Sequence, residues 1–95
     1  MNVGILKVEI YLGDTFSLKD KRSIVKSVVE RLKNKFNLSV AEVERQDDLR
    51  FAVIGICCVS NSKAHAESQL ESALNFLEED GRFFVQNIER EVFSF

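Results

Sequence analysis

From residue 5 to residue 12 apolar and polar positions alternate, with Leu6, Val8, Ile10 and Leu12 in one series and Ile5, Lys7, Glu9 and Tyr11 in the other. A period of two sends successive side chains to opposite faces, which predicts a strand with one dry face and one mixed face. Gly13-Asp14-Thr15 breaks it. Ser17, with Asp20 three residues on, then has the form of a capping box. Leu18, Val25, Val29, Leu32 and Phe36 follow on one helical face, widened by Ile24 and Val28, which predicts a long amphipathic helix. Asn37 is a candidate left-handed stop. Residues 38–45 return to extended character, Gln46-Asp47-Asp48 reads as a turn, and residues 50–60 read as the second arm of a hairpin. In that arm Phe51, Val53, Cys57 and Val59 face one way and Ala52, Ile54, Ile56 and Cys58 the other, so both sides are apolar and both need cover. Ser60-Asn61-Ser62 caps a second helix with the stripe Ala66, Leu70, Ala73, Leu74 and Leu77, which ends near Asp80-Gly81. Residues 82–93 close the chain as a final strand.

Strand, helix, strand, strand, helix, strand is the order of an α+β, ferredoxin-like β-α-β-β-α-β sandwich: a four-stranded antiparallel sheet with two helices on one face and the first and third strands in the middle. Ninety-five residues, 45% of them apolar, suffice for one domain over residues 1–95. They are too few to enclose a large cofactor and a substrate together. The sheet face without helices is expected to be covered by a second copy of the chain or by a partner, with Tyr11, Phe51 and Val53 as candidate contacts, and a homodimer is the expected assembly.

Catalytic and metal chemistry find little support. His65 is the one histidine and has no second His or Cys-x-x-Cys to share a metal, so no metal is expected. Glycines at positions 4, 13, 55 and 81 are scattered and form neither a dinucleotide fingerprint nor a phosphate-cradling loop, so no cofactor is expected. No nucleophile elbow frames a serine. Acylphosphatases share this architecture, yet no glycine-rich anion loop follows the first strand here. Asp47 and Asp48 read as solvated turn residues rather than a catalytic pair. No catalytic residue is assigned and a non-enzyme is expected. Arg50-Phe51-Ala52-Val53 matches only a fragment of an RNA-recognition sheet motif, lacking its glycine and later aromatic. Cys57 and Cys58, neighbours on a strand, point to opposite faces and suit a reducing cytoplasm. The first residues carry Lys7 and Glu9 within their apolar stretch, and no apolar run approaches the ~18 residues of a spanning helix, so neither secretory signal nor membrane association is expected.

Charge distribution changes the picture. Between positions 19 and 35 seven basic and two acidic residues give an excess of +5, so with a net charge of −2 the remaining segments carry −7. On the first helix Lys19, Arg22, Lys26 and Lys33 follow steps of 3, 4 and 7 and form a basic stripe beside the apolar face, a surface suited to phosphates. The second helix lines up Glu67, Glu71 and Glu78, so salt bridges between neighbouring helices are the competing explanation of the stripe.

Three segments, S-L-K-D-K-R from Ser17 to Arg22, F-N-L-S-V-A-E-V from Phe36 to Val43 and G-I-C-C-V-S-N from Gly55 to Asn61, together resemble the YlxP-like family over nearly the whole chain. That resemblance implies a bacterial domain of unknown function with a ferredoxin-like fold, often encoded beside translation and ribosome-maturation factors. It carries no catalytic residues. The family's basic motif maps onto Lys19, Lys21 and Arg22, while Asp47-Asp48-Leu49-Arg50 stands where the family usually has one acid followed by Leu-Trp. Lys21 lies close to the dry helix face, where a lysine snorkels or pairs with a carboxylate. The leading expectation is a small cytoplasmic, non-enzymatic module that binds RNA or a ribosome-associated partner through Lys19, Lys21, Arg22, Lys26 and Lys33. The alternative is a protein-interaction or homodimerisation module working through the open sheet face.

Overall fold

A computed structural model describes residues 1–13 and 17–95. The elements are β1 (Asn2–Tyr11), α1 (Leu18–Lys35), β2 (Ser39–Glu44), β3 (Phe51–Ser60), α2 (Lys63–Glu78) and β4 (Phe84–Ser94). All strand pairs are antiparallel and the sheet order is β2-β3-β1-β4, so β1 and β3 are central as the sequence implies. The break expected at Gly13-Asp14-Thr15 lies mostly outside the described residues. No described helix is long and apolar enough to cross a membrane.

The alternation in β1 sorts as read: Leu6, Val8 and Ile10 are buried in the core, and Ile5, Lys7, Glu9 and Tyr11 point away from it. From β3, Ala52, Ile54, Ile56 and Cys58 join the same core. Helix α1 begins where the Ser17 hydroxyl accepts from the Asp20 amide at 3.2 Å, satisfying one of the first-turn donors. Its buried residues are Lys21, Val25, Val28 and Leu32, so the helix is turned slightly from the expected stripe and Val29 is only partly buried. It does not end on a left-handed Asn37. Phe36 leaves the helix extended, at φ −126°, and its ring meets Phe76 of α2 edge-on at 5.9 Å. An aromatic contact between the helices therefore sets the exit direction.

Helix α2 is capped by Ser62, whose hydroxyl accepts from the His65 amide at 3.3 Å. After the helix, Gly81 has φ +84°, a conformation that L side chains adopt at a cost. The turn is pinned by Asp80, whose nearly inaccessible carboxylate accepts from Arg82 Nε at 2.6 Å and Nη2 at 2.8 Å. Arg82 also donates to the Ser27 hydroxyl of α1 at 3.2 Å, so this turn ties α1 to the start of β4. The hydrogen bonds from Arg82 hold the Asp80 carboxyl below the usual carboxylate range despite its burial. A depressed folded-state pKa contributes stability that is complete above the unfolded value and is lost as pH falls through the folded one. Asp80→Asn is therefore expected to cost about 2 kcal/mol at pH 7. Thermal melts should show that deficit shrinking as pH falls below about 4, where the carboxyl of the unfolded chain protonates while the folded one, held lower, is still ionised. A deficit independent of pH would assign the loss to packing instead.

Candidate functional site

The basic stripe is present and exposed. Lys19, Arg22, Lys26 and Lys33 are all exposed on α1, and none makes an ion pair or hydrogen bond among the described residues. At a rise of 1.5 Å per residue they extend over about 21 Å of helix. The expected bridges to α2 do not form: Glu71 instead binds Arg90 of β4 at 2.7 Å. Arg31, on another side of α1, reaches Asp80 beyond the α2 terminus at 3.4 Å. Lys35 and Arg31 lie over the Phe76 ring, each 5.1 Å from its centroid. The cations nearest α2 are thus engaged with its last turns, and those on the stripe are not.

The position of the stripe along the helix matters as well. Lys19 and Arg22 stand in the first turns, where the partial positive charge of the helix N-terminus disfavours a cation by roughly 0.3–1 kcal/mol. Helix stability does not ask for them there.

Lys21, the fifth candidate, is corrected by the structure. It is completely buried, its ammonium 3.3 Å from Glu42 Oε2 on β2 and hydrogen-bonded to the carbonyl of Arg45, with Gln46 O at 3.4 Å. A side chain so placed has no surface to offer a phosphate; it is the carboxylate-paired lysine that its nearness to the dry face suggested. Glu42 Oε2 is buried and makes no hydrogen bond of its own, so the Lys21 charge is what compensates it.

The β2–β3 turn that Lys21 holds has Arg45 at φ +63°. Asp48 closes it by accepting from the amides of Arg50 at 2.8 Å and Phe51 at 3.3 Å. These bonds, the Arg50 amide foremost, depress the Asp48 carboxyl, which marks it as a turn-forming anion. Asp47 is exposed beside it.

The open sheet face is more divided than expected. Val53 is buried at 4% exposure, and the cover comes from its own chain. Arg45 reaches Glu9 at 3.6 Å across β3, and Asn87 donates to the same carboxylate at 3.0 Å. Arg45 also lies 4.7 Å above the Phe51 ring, which tilts against Tyr11 at 5.2 Å. Tyr11, Phe51 and Val53 are therefore largely occupied within the chain. A second charged row crosses the sheet where Lys7 binds Glu44 at 3.6 Å and Glu89 at 3.1 Å. The hydrogen bond that Lys7 donates to Glu89, with the field of both acids, raises the Lys7 pKa and keeps it a cation.

Apolar surface remains at the two ends of the face. Phe84, beside Tyr11, is 73% exposed, and at the other end lie Ile5, Val59 and Phe93. Between that second end and the Lys7 row is a concavity of about 750 Å³ whose lining includes Ile5, Ala41, Val43, Gly55 and Cys57. Sequence reasoning missed it. The one signal in the sequence was a glycine in the middle of β3; the rest comes from a bulge, seen in the structure as the register shift after Glu42, that carries Val43 onto the same face as Glu44.

His65 is exposed, 3.2 Å from the Ser60 hydroxyl and 3.3 Å from the Gln69 amide nitrogen. Cys58 is buried and Cys57 faces the concavity, so the adjacent thiols do point apart. Among the described residues no three His, Cys, Asp or Glu side chains gather as metal ligands.

Sheet order, helix placement and strand register define a ferredoxin-like α+β domain. It is similar to two designed proteins in their solved structures: LFR1 1, described as having a ferredoxin fold, at a TM-score of 0.61 and 20% identity over 99% of this chain and 87% of that one, and Foldit4, at 0.55 and 15% over 99% and 98%. Those likenesses concern the fold alone. The chain belongs to the family described as protein of unknown function (DUF503), whose model matches residues 3–90. It is 36% identical over 76 residues to the uncharacterized protein YlxP of Bacillus subtilis (strain 168), covering 80% of this chain and 83% of that relative.

Proposed function

We propose that the protein is a non-enzymatic binding module that grips the phosphate backbone of RNA, free or within a ribosomal assembly, with α1. The observation that carries this reading is the unpartnered stripe: Lys19, Arg22, Lys26 and Lys33 stay exposed and unpaired among the described residues while acids stand on the neighbouring helix. Four cations in a row release counterions on meeting a polyanion, which gives salt-dependent affinity with little sequence preference. A base-stacking platform would add affinity, but the rings of Tyr11 and Phe51, on the open sheet face, tilt against each other under Arg45. The module therefore reads backbone. Filter binding of a mixed-sequence RNA to the wild type and to Lys19→Glu/Arg22→Glu/Lys26→Glu tests it, and equal retention by the two proteins would reject it.

Self-association through the open face is less well supported. A two-fold pairing brings the same patch to both sides of the contact, and this patch holds more carboxylates than ammonium groups. Sedimentation at micromolar concentration measures it directly, and a monomer is the expected result.

A further inference from the structure

The concavity on the open sheet face has a chemistry opposite to that of α1. Its floor is Ile5, Ala41, Gly55 and Cys57, with Val43 leaning in from the bulge on β2. Gly55 keeps the floor low: a Cβ there would lie 2.8 Å from Val43 Cγ1, inside contact distance. The rim holds three carboxylates, Glu44, Glu89 and Glu91, against one engaged ammonium, Lys7. Arg90 also borders the space, but its guanidinium is spent on Glu71. Ile5 and Val43 remain 40% and 45% exposed, and the apolar surface runs on to Val59 and Phe93.

A trough with a dry floor and an acidic rim selects its occupant. Phosphates are repelled, so this is a different surface from the α1 stripe. A second copy of the chain fits poorly, because the apolar side of α1 is already packed in its own core and two open faces would set carboxylates against carboxylates. What complements both features is a segment carrying large apolar side chains flanked by Lys or Arg. We propose that the groove over Gly55 docks a basic amphipathic segment of a partner protein. An apolar side chain seats against Ile5, Val43 and Cys57, and cations meet Glu44, Glu89 and Glu91. The protein then has two faces of opposite charge, one for a nucleic-acid backbone and one for a basic polypeptide.

The test is fluorescence anisotropy with a labelled 14-residue amphipathic peptide of leucine and lysine, about four helical turns long, against the same design in leucine and glutamate. The leucine–lysine peptide should bind the wild type, and the leucine–glutamate peptide should not. Two variants address the two halves of the site. Ala41→Trp fills the floor from an exposed edge-strand position, and Glu89→Gln/Glu91→Gln removes rim charge without touching the core. Each should weaken peptide binding about tenfold, a change of 1.4 kcal/mol. Melting curves establish that both variants are folded, and the glutamine variant, made entirely at exposed positions, guards against failure of the tryptophan one. Equal binding of the two peptides, or wild-type affinity in both folded variants, would overturn the proposal. So would a sedimenting dimer that Ala41→Trp disperses, since the groove would then belong to a second copy.

Discussion

Lys21→Met is expected to destabilise the protein by about 3 kcal/mol, although the new side chain is apolar and nearly the same length. The lysine is fully inaccessible, and its ammonium is the counter-charge of Glu42 and a donor to the β2–β3 turn. Removing it leaves a carboxylate with 18% side-chain exposure and no compensating charge, together with turn carbonyls that lose their donor. For a domain of this size each kcal/mol moves the melting temperature by roughly 4–8 °C, so a drop of about 12 °C or more should appear by calorimetry or circular dichroism. Lys21→Met/Glu42→Gln removes the stranded charge and should recover about half of the loss. A single variant that melts within about 2 °C of wild type, a shift of under 0.5 kcal/mol, would show that the buried pair contributes little.

Charge reversal on the stripe should do the opposite: large loss of binding at no cost in stability. At 50 mM salt counterion release contributes about eightfold per phosphate contact for a single strand, so losing three contacts costs several hundredfold before repulsion is counted. Lys19→Glu/Arg22→Glu/Lys26→Glu should therefore weaken RNA binding by at least several hundredfold, leaving only a residual affinity. Its melting temperature should equal or exceed that of the wild type. Glutamate is as good a helix former as lysine, and in the first turns of α1 it sits well with the helix dipole. Loss of binding together with stability at or above wild type separates a ligand surface from a structural one.

The fold was legible because period and punctuation agreed at every element. Leu6, Val8 and Ile10 could face one core only as a strand, and Ser17 and Ser62 marked helix starts that the structure uses. What escaped were features set between elements. Asn37 looked like a helix stop, but the Phe36–Phe76 contact, invisible to a local reading, fixed the exit. Lys21 sat in a basic motif, and only the approach of β2 turned it from a surface cation into a core ion pair. Val53 belonged to an apolar strand face, yet Arg45, in the turn that precedes β3, folds across it to Glu9. The groove depended on the register shift between Glu42 and Glu44, which no residue pattern in β2 announces. The stripe itself was legible, since Lys19, Arg22, Lys26 and Lys33 need only a helix to align them. Their freedom from α2 was not, because that depends on where Glu71 finds Arg90.

The salt dependence of RNA affinity tests the central claim most directly. With four phosphate contacts by Lys19, Arg22, Lys26 and Lys33, a plot of log affinity against log salt should have a slope of about −3, falling to about −1 or shallower in the triple glutamate variant. A wild-type slope near zero, or the same slope in both proteins, would contradict a phosphate-binding role for α1.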